Sequence, residues 1–330
     1  VSATADEPRD FHVPLGALPE RLRGGVVAIG NFDGVHRGHQ AVLSLARDIA
    51  HAHGQPTAAL TFEPHPRSLF RPDQPIFRLT PPHLKGRVIA ALGIDGLVVA
   101  PFDRVFAALT AEEFVDEVLV GRLGVRHVLI GYDFHFGKAR AGSPAFLVEA
   151  GARRGFGVSI AEPMKDESGG PISSTRVRDA LSTGDAAAAN ALLGWRWQTE
   201  AEVRHGDKRG RELGYPTANL RLADDCALAL GIYTVRVRLD GRLYDGVASF
   251  GRRPTFDNGA PLLEVHLFDF KGDLYGRLLS VSLFEYQRPE LKFDSLDALV
   301  AQMDRDSARA RATLASAVPL SPLDETLTFG

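Results

Sequence analysis

The chain has one cysteine in 330 residues, Cys226, which excludes an internal disulfide, and no Cys/His cluster shows the spacing of a zinc site. Long apolar runs are missing too: nothing approaches the roughly 20 residues needed to cross a bilayer. Neither charge sign dominates. A formal net charge of -3 with 24% charged residues leaves no basic surplus for wrapping nucleic acid. The opening VSATADEPRDF is acidic and polar and lacks the basic-then-apolar order of a signal peptide. A nucleotide-binding G-x-x-x-x-G-K-[ST] loop is absent, as are internal repeats and low-complexity linkers. These absences point to a protein of the reducing cytoplasm, with no nucleic-acid or membrane partner.

What is present is enough chain for two domains. Short apolar runs at 26–30, 57–62, 96–102, 125–131 and 157–163 alternate with helix-period segments at 38–53, 82–92, 111–123, 144–154 and 174–193. Such βαβα order predicts a parallel sheet covered by helices, and the nearly unbroken apolar strands fit burial on both faces. After about residue 187 the rhythm changes. Strand-like runs at 197–204, 215–222, 231–239, 242–250, 262–270 and 274–286 are separated by Gly, Asp and Pro, which predicts a mostly antiparallel barrel or sandwich. A helix over 295–316 follows, and the polar tail SPLDETLTFG is expected to be loosely held. The expected domains are 1–186 and 187–330.

The chemistry-bearing residues begin with GNFDGVHRGH after the first long strand. Gly30, Asn31, Phe32, Gly34 and Gly38 form a glycine loop entering a helix, an anion-site layout in which backbone N–H groups and the helix start favour phosphate. His36 and His39 flank Gly38, where both rings can donate to phosphate oxygens. A plain glycine turn with surface histidines is the bland alternative, and the strand-loop-helix context disfavours it. Downstream, ISSTRVR opens another helix, with Ser173, Ser174 and Thr175 at capping positions and Arg178 one turn in. GDKRGRELGYPTANL offers Gly206, Lys208 and Gly210 in a basic loop, then Thr217 and Asn219 entering a strand. Alternation in LLEVHLFDF sets Leu262, Glu264, His266 and Phe268 on one face, so Glu264 is expected among apolar neighbours.

H-x-G-H after a first strand, paired with ISSTRVR, resembles the nucleotidyltransferase superfamily. With TFEPHP at 61–66 and GYDFHFG at 131–137, residues 24–190 resemble the FMN adenylyltransferase half of bifunctional bacterial FAD synthetases. PTAN, GVASFGRRPTF, LLEVHLFDF, DLYG and RPELKFDSLDAL, within 197–310, resemble the riboflavin kinase module of the same enzymes. The resemblance implies a Rossmann-like nucleotidyltransferase domain followed by a six-stranded antiparallel barrel with a C-terminal helix. It further implies riboflavin phosphorylation to FMN and adenylylation of FMN to FAD, with ATP as co-substrate and Mg2+ as cofactor. His36, His39 and Arg178 would act on ATP phosphates, Thr217 and Asn219 would hold metal and nucleotide, and Glu264 would be the kinase base. Phe62, Asp133 and Phe134 would meet the flavin, although His65, Phe62 and Phe134 also suit plain structural roles. Two departures stand out: Asp133 where some members have Asn, and Ala201 where many have Gly.

Overall fold

The computed structural model describes residues 11–205, 213–252 and 261–330. Its contacts divide the chain into two compact units: one runs to Ile76 and resumes over Pro81–Ser173, and the other holds Phe77–Thr80 and Ser174–Gly330.

In the first unit, six strands β1 (His12–Pro14), β2 (Val26–Ile29), β3 (Thr57–Glu63), β4 (Gly96–Pro101), β5 (His127–Gly131) and β6 (Gly157–Ala161) lie in the order β1-β4-β3-β2-β5-β6. Every neighbouring pair is parallel. Val26, Val27, Ala28 and Ile29 are all buried, because helices cover both faces of a parallel sheet. The edge strand β1 escapes the apolar-run reading, since His-Val-Pro is too short to show a period. The helix predicted over 174–193 belongs to the second unit and is two helices, Ser174–Ser182 and Ala186–Leu193, broken where Gly184 takes φ 82° and Asp185 caps the next helix through the N–H of Ala188 at 2.9 Å.

In the second unit, β7 (Gln198–Arg204), β8 (Ala218–Arg221), β9 (Gly231–Leu239), β10 (Arg242–Arg252), β11 (Pro261–Leu267) and β12 (Leu278–Arg288) close into an antiparallel barrel ordered β10-β11-β8-β7-β12-β9. Closure leaves no exposed edge, and alternate residues such as Leu263, Val265, Val235 and Val237 fill the interior. The helix Leu296–Ala315 is tied to β12 through Asp306, whose carboxylate accepts from Arg288 Nε at 3.0 Å and whose carbonyl accepts from Gln287 Nε2 at 3.0 Å. Phe77–Thr80 group with this unit because Leu79 and Phe77 offer carbonyls to Trp197 Nε1 at 2.9 Å and Arg178 Nε at 2.7 Å.

The tail is firmly held rather than loose. Asp324 is fully buried, pairs with the buried Arg196 guanidinium and accepts the Arg196 N–H at 2.9 Å, while Leu323 and Leu327 are also buried. Arg196 in turn lies 4.1 Å over the ring of Phe284 and 5.1 Å over that of Phe329. Average polarity misled here: one carboxylate placed against a buried arginine anchors a segment that composition describes as solvated.

Candidate active sites

Strand order locates the first site. From β2 the chain proceeds through β3 to β4 on one side, then returns to β5 on the other, so the sheet reverses between β2 and β5. Ligands of open parallel sheets bind beyond the carboxyl ends of strands at such a reversal. The loops that emerge there are GNFDGVH after β2 and GYDFHFG after β5. The first is strained: Phe32 has φ 47° and Val35, a buried β-branched residue, has φ 39°. The loop ends on His36, which caps the helix Arg37–His53 by accepting the N–H of His39 on Nδ1 at 3.3 Å. That bond puts the His36 proton on Nε2.

The two imidazoles stack with centroids 3.7 Å apart and planes 16° apart, and Phe32 supports His39 edge-on at 5.4 Å. Gly38 is required between them. A Cβ there would lie 3.2 Å from His36 Nδ1 and 3.3 Å from its Cε1, with the carbonyl of Ile172 at 3.9 Å. His39 Nδ1 is buried and makes no hydrogen bond among the described residues. Burial, then the neighbouring His36 and Lys85, hold its pKa well below the usual imidazole value. The pair stands at the positive end of a helix, where helix dipole and N–H groups favour an anion.

Of the other expected residues, Gly30 lies under the Phe32 ring, to which a Cβ would come within 3.2 Å, and Asn31 is exposed with its carbonyl accepting from Thr61 Oγ1 at 3.2 Å. Gly34, at φ 86°, makes the turn. Ser173 closes the first unit, whereas Ser174, Thr175 and Arg178 lie in the helix Ser174–Ser182 of the second. Phe62 is buried and packs edge-on against Phe102 at 5.8 Å; Phe102 also meets Phe70 at 5.9 Å, a ring left 67% exposed that the sequence reading passed over. Phe134 stacks on Phe136 at 5.6 Å, and Asp133 is exposed. His65 has a structural task, capping the helix Pro66–Phe70 through the N–H of Arg67 at 3.1 Å. A further residue with no sequence signal is Lys85, buried at 1% exposure and paired with Glu63 at 3.0 Å.

In the barrel, Glu264 on β11 stands directly opposite Asn219 on β8 and opposite Ser249 on β10. The alternation is as expected but the apolar face is the other one. Leu263, Val265 and Leu267 point into the barrel, and Glu264 shares the outer, half-buried face with Leu262 and His266. The carboxylate therefore avoids the core, which its desolvation would oppose. Asn219 is buried, and its Oδ1 has no hydrogen-bond partner among the described residues, while its Nδ2 donates to the Thr217 carbonyl at 3.4 Å. His266 Nδ1 donates to the Pro216 carbonyl at 2.9 Å, and Tyr215 packs on His266 and bonds Asp304 of the C-terminal helix, so the PTAN turn is held from two sides. Ala201, half-buried on β7, faces Leu279. Gly206, Lys208 and Gly210 lie outside the described residues. No group of three or more His, Cys, Asp or Glu side chains suited to a metal occurs among the described residues.

A parallel α/β unit with paired histidines at its reversal, followed by a closed antiparallel barrel that sets Glu264 opposite Asn219, makes up a two-domain transferase. Residues 18–176 match the FAD synthetase family model and residues 193–314 the riboflavin kinase model. The chain is 43% identical to the bifunctional riboflavin kinase/FMN adenylyltransferase of Pseudomonas fluorescens, over 91% of this chain and 96% of that protein. Identity to the protein of the same name from Escherichia coli (strain K12) is 42%, over 87% and 92%. Among solved structures, one named as a macrolide-efflux protein from Streptococcus pneumoniae matches with a TM-score of 0.80 and 32% identity, covering 91% of this chain and 99% of that one. The chain belongs to the family of bifunctional riboflavin kinase/FMN adenylyltransferases: it phosphorylates riboflavin to FMN and adenylylates FMN to FAD, using ATP in both steps. No helix among the described residues is long and apolar enough to cross a membrane.

Proposed function

We propose that residues 1–186 carry adenylyl transfer and 187–330 carry riboflavin phosphorylation, with the site residues acting as follows, in the cytoplasm, where a lone buried Cys226 would stay reduced. The observation that carries the kinase assignment is the pairing of Glu264 with Asn219 across adjacent strands, beside an Asn219 oxygen that has no partner among the described residues. An unpaired buried carbonyl oxygen is a hard donor, and with the Thr217 hydroxyl it fits Mg2+ bound together with ATP phosphates. Mg2+, when bound, neutralises phosphate charge. Gly206, Lys208 and Gly210 would bring backbone N–H groups and a cation to those phosphates. Glu264, on the half-buried outer face, accepts the proton of the ribityl 5'-hydroxyl as that oxygen attacks the γ-phosphorus and ADP leaves.

In adenylyl transfer the FMN phosphate is already anionic and attacks the α-phosphorus of ATP without a base. His36 and His39 donate through Nε2 to the charge that builds on departing pyrophosphate, with Arg178 and the hydroxyls of Ser173, Ser174 and Thr175 as further phosphate partners. Gly30, Asn31, Phe32, Gly34 and Gly38 shape that cradle. The aromatic wall of Phe62, Phe102 and exposed Phe70 suits the isoalloxazine ring, and Phe134 and Asp133 of the loop after β5 would be further flavin contacts.

Single-turnover FMN formation tests the kinase assignment. Glu264→Gln should slow it by ~10² to 10⁴ with ATP and riboflavin binding retained, the usual contribution of a positioned base. A rate within a few fold of the parent would make the carboxylate structural.

A further inference from the structure

Lys85 sits in the helix Pro82–Ala91 with 1% of its surface exposed. Lysine is almost never this buried unless paired, and a buried pair is a weaker source of stability than apolar packing of the same volume. Its placement therefore asks for a task. The ammonium donates to Glu63 Oε1 at 3.0 Å and to Thr61 Oγ1 at 3.4 Å, and the Thr61 hydroxyl donates onward to the carbonyl of Asn31 at 3.2 Å. The donors run in one direction, from ammonium to hydroxyl to carbonyl. They end two residues beyond β2, where the strand gives way to the loop that bears positive φ at Phe32 and Val35. Strained backbone of this kind persists only where its surroundings over-determine it. The far end of the same loop is His36, stacked on His39.

We propose that Lys85 is a positioning residue for adenylyl transfer: acting through Thr61, it fixes the Asn31 carbonyl and so the strained loop that delivers His36 and His39 to the nucleotide. This rests on the assignment of those two histidines to the adenylyl-transfer site. Near-complete burial keeps the ammonium away from any ligand surface; its charge bears on His39, and the Thr61 hydroxyl is the contact that reaches the loop. Glu63 has a subsidiary part, compensating a charge that would otherwise be buried alone.

The test uses the full-length chain with saturating FMN, ATP and Mg2+. Lys85→Met and the charge-free pair Lys85→Met/Glu63→Gln, which leaves no carboxylate unpaired, should each lower kcat for FAD formation by about tenfold to a hundredfold, as displaced catalytic groups do. KM for ATP should stay within about twofold, because uniform binding is untouched. Riboflavin phosphorylation by the same molecules should be unchanged, which reports an intact second unit, and the parental KM for ATP in FAD formation reports that the first unit is folded. Thr61→Val should reproduce the kcat loss, and Lys85→Met/Thr61→Val should be no worse than the deeper single variant. Losses that multiply in the double variant would overturn the relay, as would parental kcat in the charge-free pair or a rise in KM at parental kcat. His36→Ala and His39→Ala serve as the reference. If both make FAD normally, the site assignment itself fails; if both are crippled while the Lys85 variants are not, only the inference about Lys85 falls.

Discussion

Replacing Gly38 by alanine separates stability from activity at the histidine pair. The added Cβ would meet His36 Nδ1 at 3.2 Å and Cε1 at 3.3 Å, so the ring must yield by a few tenths of an ångström. It has little room, because His39 stacks on it at 3.7 Å and its Nδ1 accepts the His39 N–H at 3.3 Å. Displacing the ring weakens a helix cap, a loss of about 1 kcal/mol. Alanine in place of glycine in a helix returns up to about 1 kcal/mol. The two effects nearly cancel, and a residual of about 1 kcal/mol would move the melting temperature by only about 2 to 4 °C in a domain of this size. Catalysis has no such compensation: a transition-state donor moved off its line should lower FAD formation from FMN and ATP by about tenfold to a hundredfold. The assay is chromatographic separation of FMN and FAD at saturating substrates, with FMN formation from riboflavin as internal control. FAD formation within twofold of the parent would show that the stacked pair is not the donor site. A fall in FAD formation that comes with a large loss of the first unit's thermal stability would show that Gly38 is needed for folding instead.

Protonation should weaken the first unit. Burial is the leading cause that holds the pKa of His39, His12 and His127 below the ordinary imidazole value. The unfolded chain then takes up more protons, so stability is complete above about pH 6.5 and falls as the pH drops below it; a urea midpoint for this unit unchanged between about pH 7.5 and 5.5 would refute this. In the second unit, Asp324→Ala should cost about 3 to 5 kcal/mol in denaturant unfolding, because it strands the buried Arg196 guanidinium, and a cost under about 1 kcal/mol would return the tail to a loose appendage. A piece spanning residues 174–330 should fold and make FMN but no FAD. It should melt above a piece spanning 187–330, which lacks the helix Ser174–Ser182, and the reverse order would show that this helix adds nothing to the barrel.

Period and punctuation made most of the architecture legible. Uninterrupted apolar runs such as VVAI fit burial on two faces, and alternation in LLEVHL marks a strand with one face inward, which suits a barrel or a sandwich. The inward face was in the pattern too, since Leu263, Val265 and Leu267 are all apolar while Glu264 and His266 interrupt the other set; reading Glu264 among apolar neighbours gave too much weight to Leu262 and Phe268. The histidine pair was legible because its spacing around a glycine follows from sterics: at Gly38 any side chain would strike the neighbouring ring. Lys85 was not legible. A lysine in a helix reads as a solvated face, and only the arrival of Glu63 and Thr61 from a distant strand changes its chemistry. Asp324 failed to declare itself for the same reason, its partner lying far back in the chain at Arg196. Local pattern thus reports the groups that meet a ligand near their own loop. The charges that hold such loops in place are set by contacts between remote segments, and those become visible only when the chain has folded.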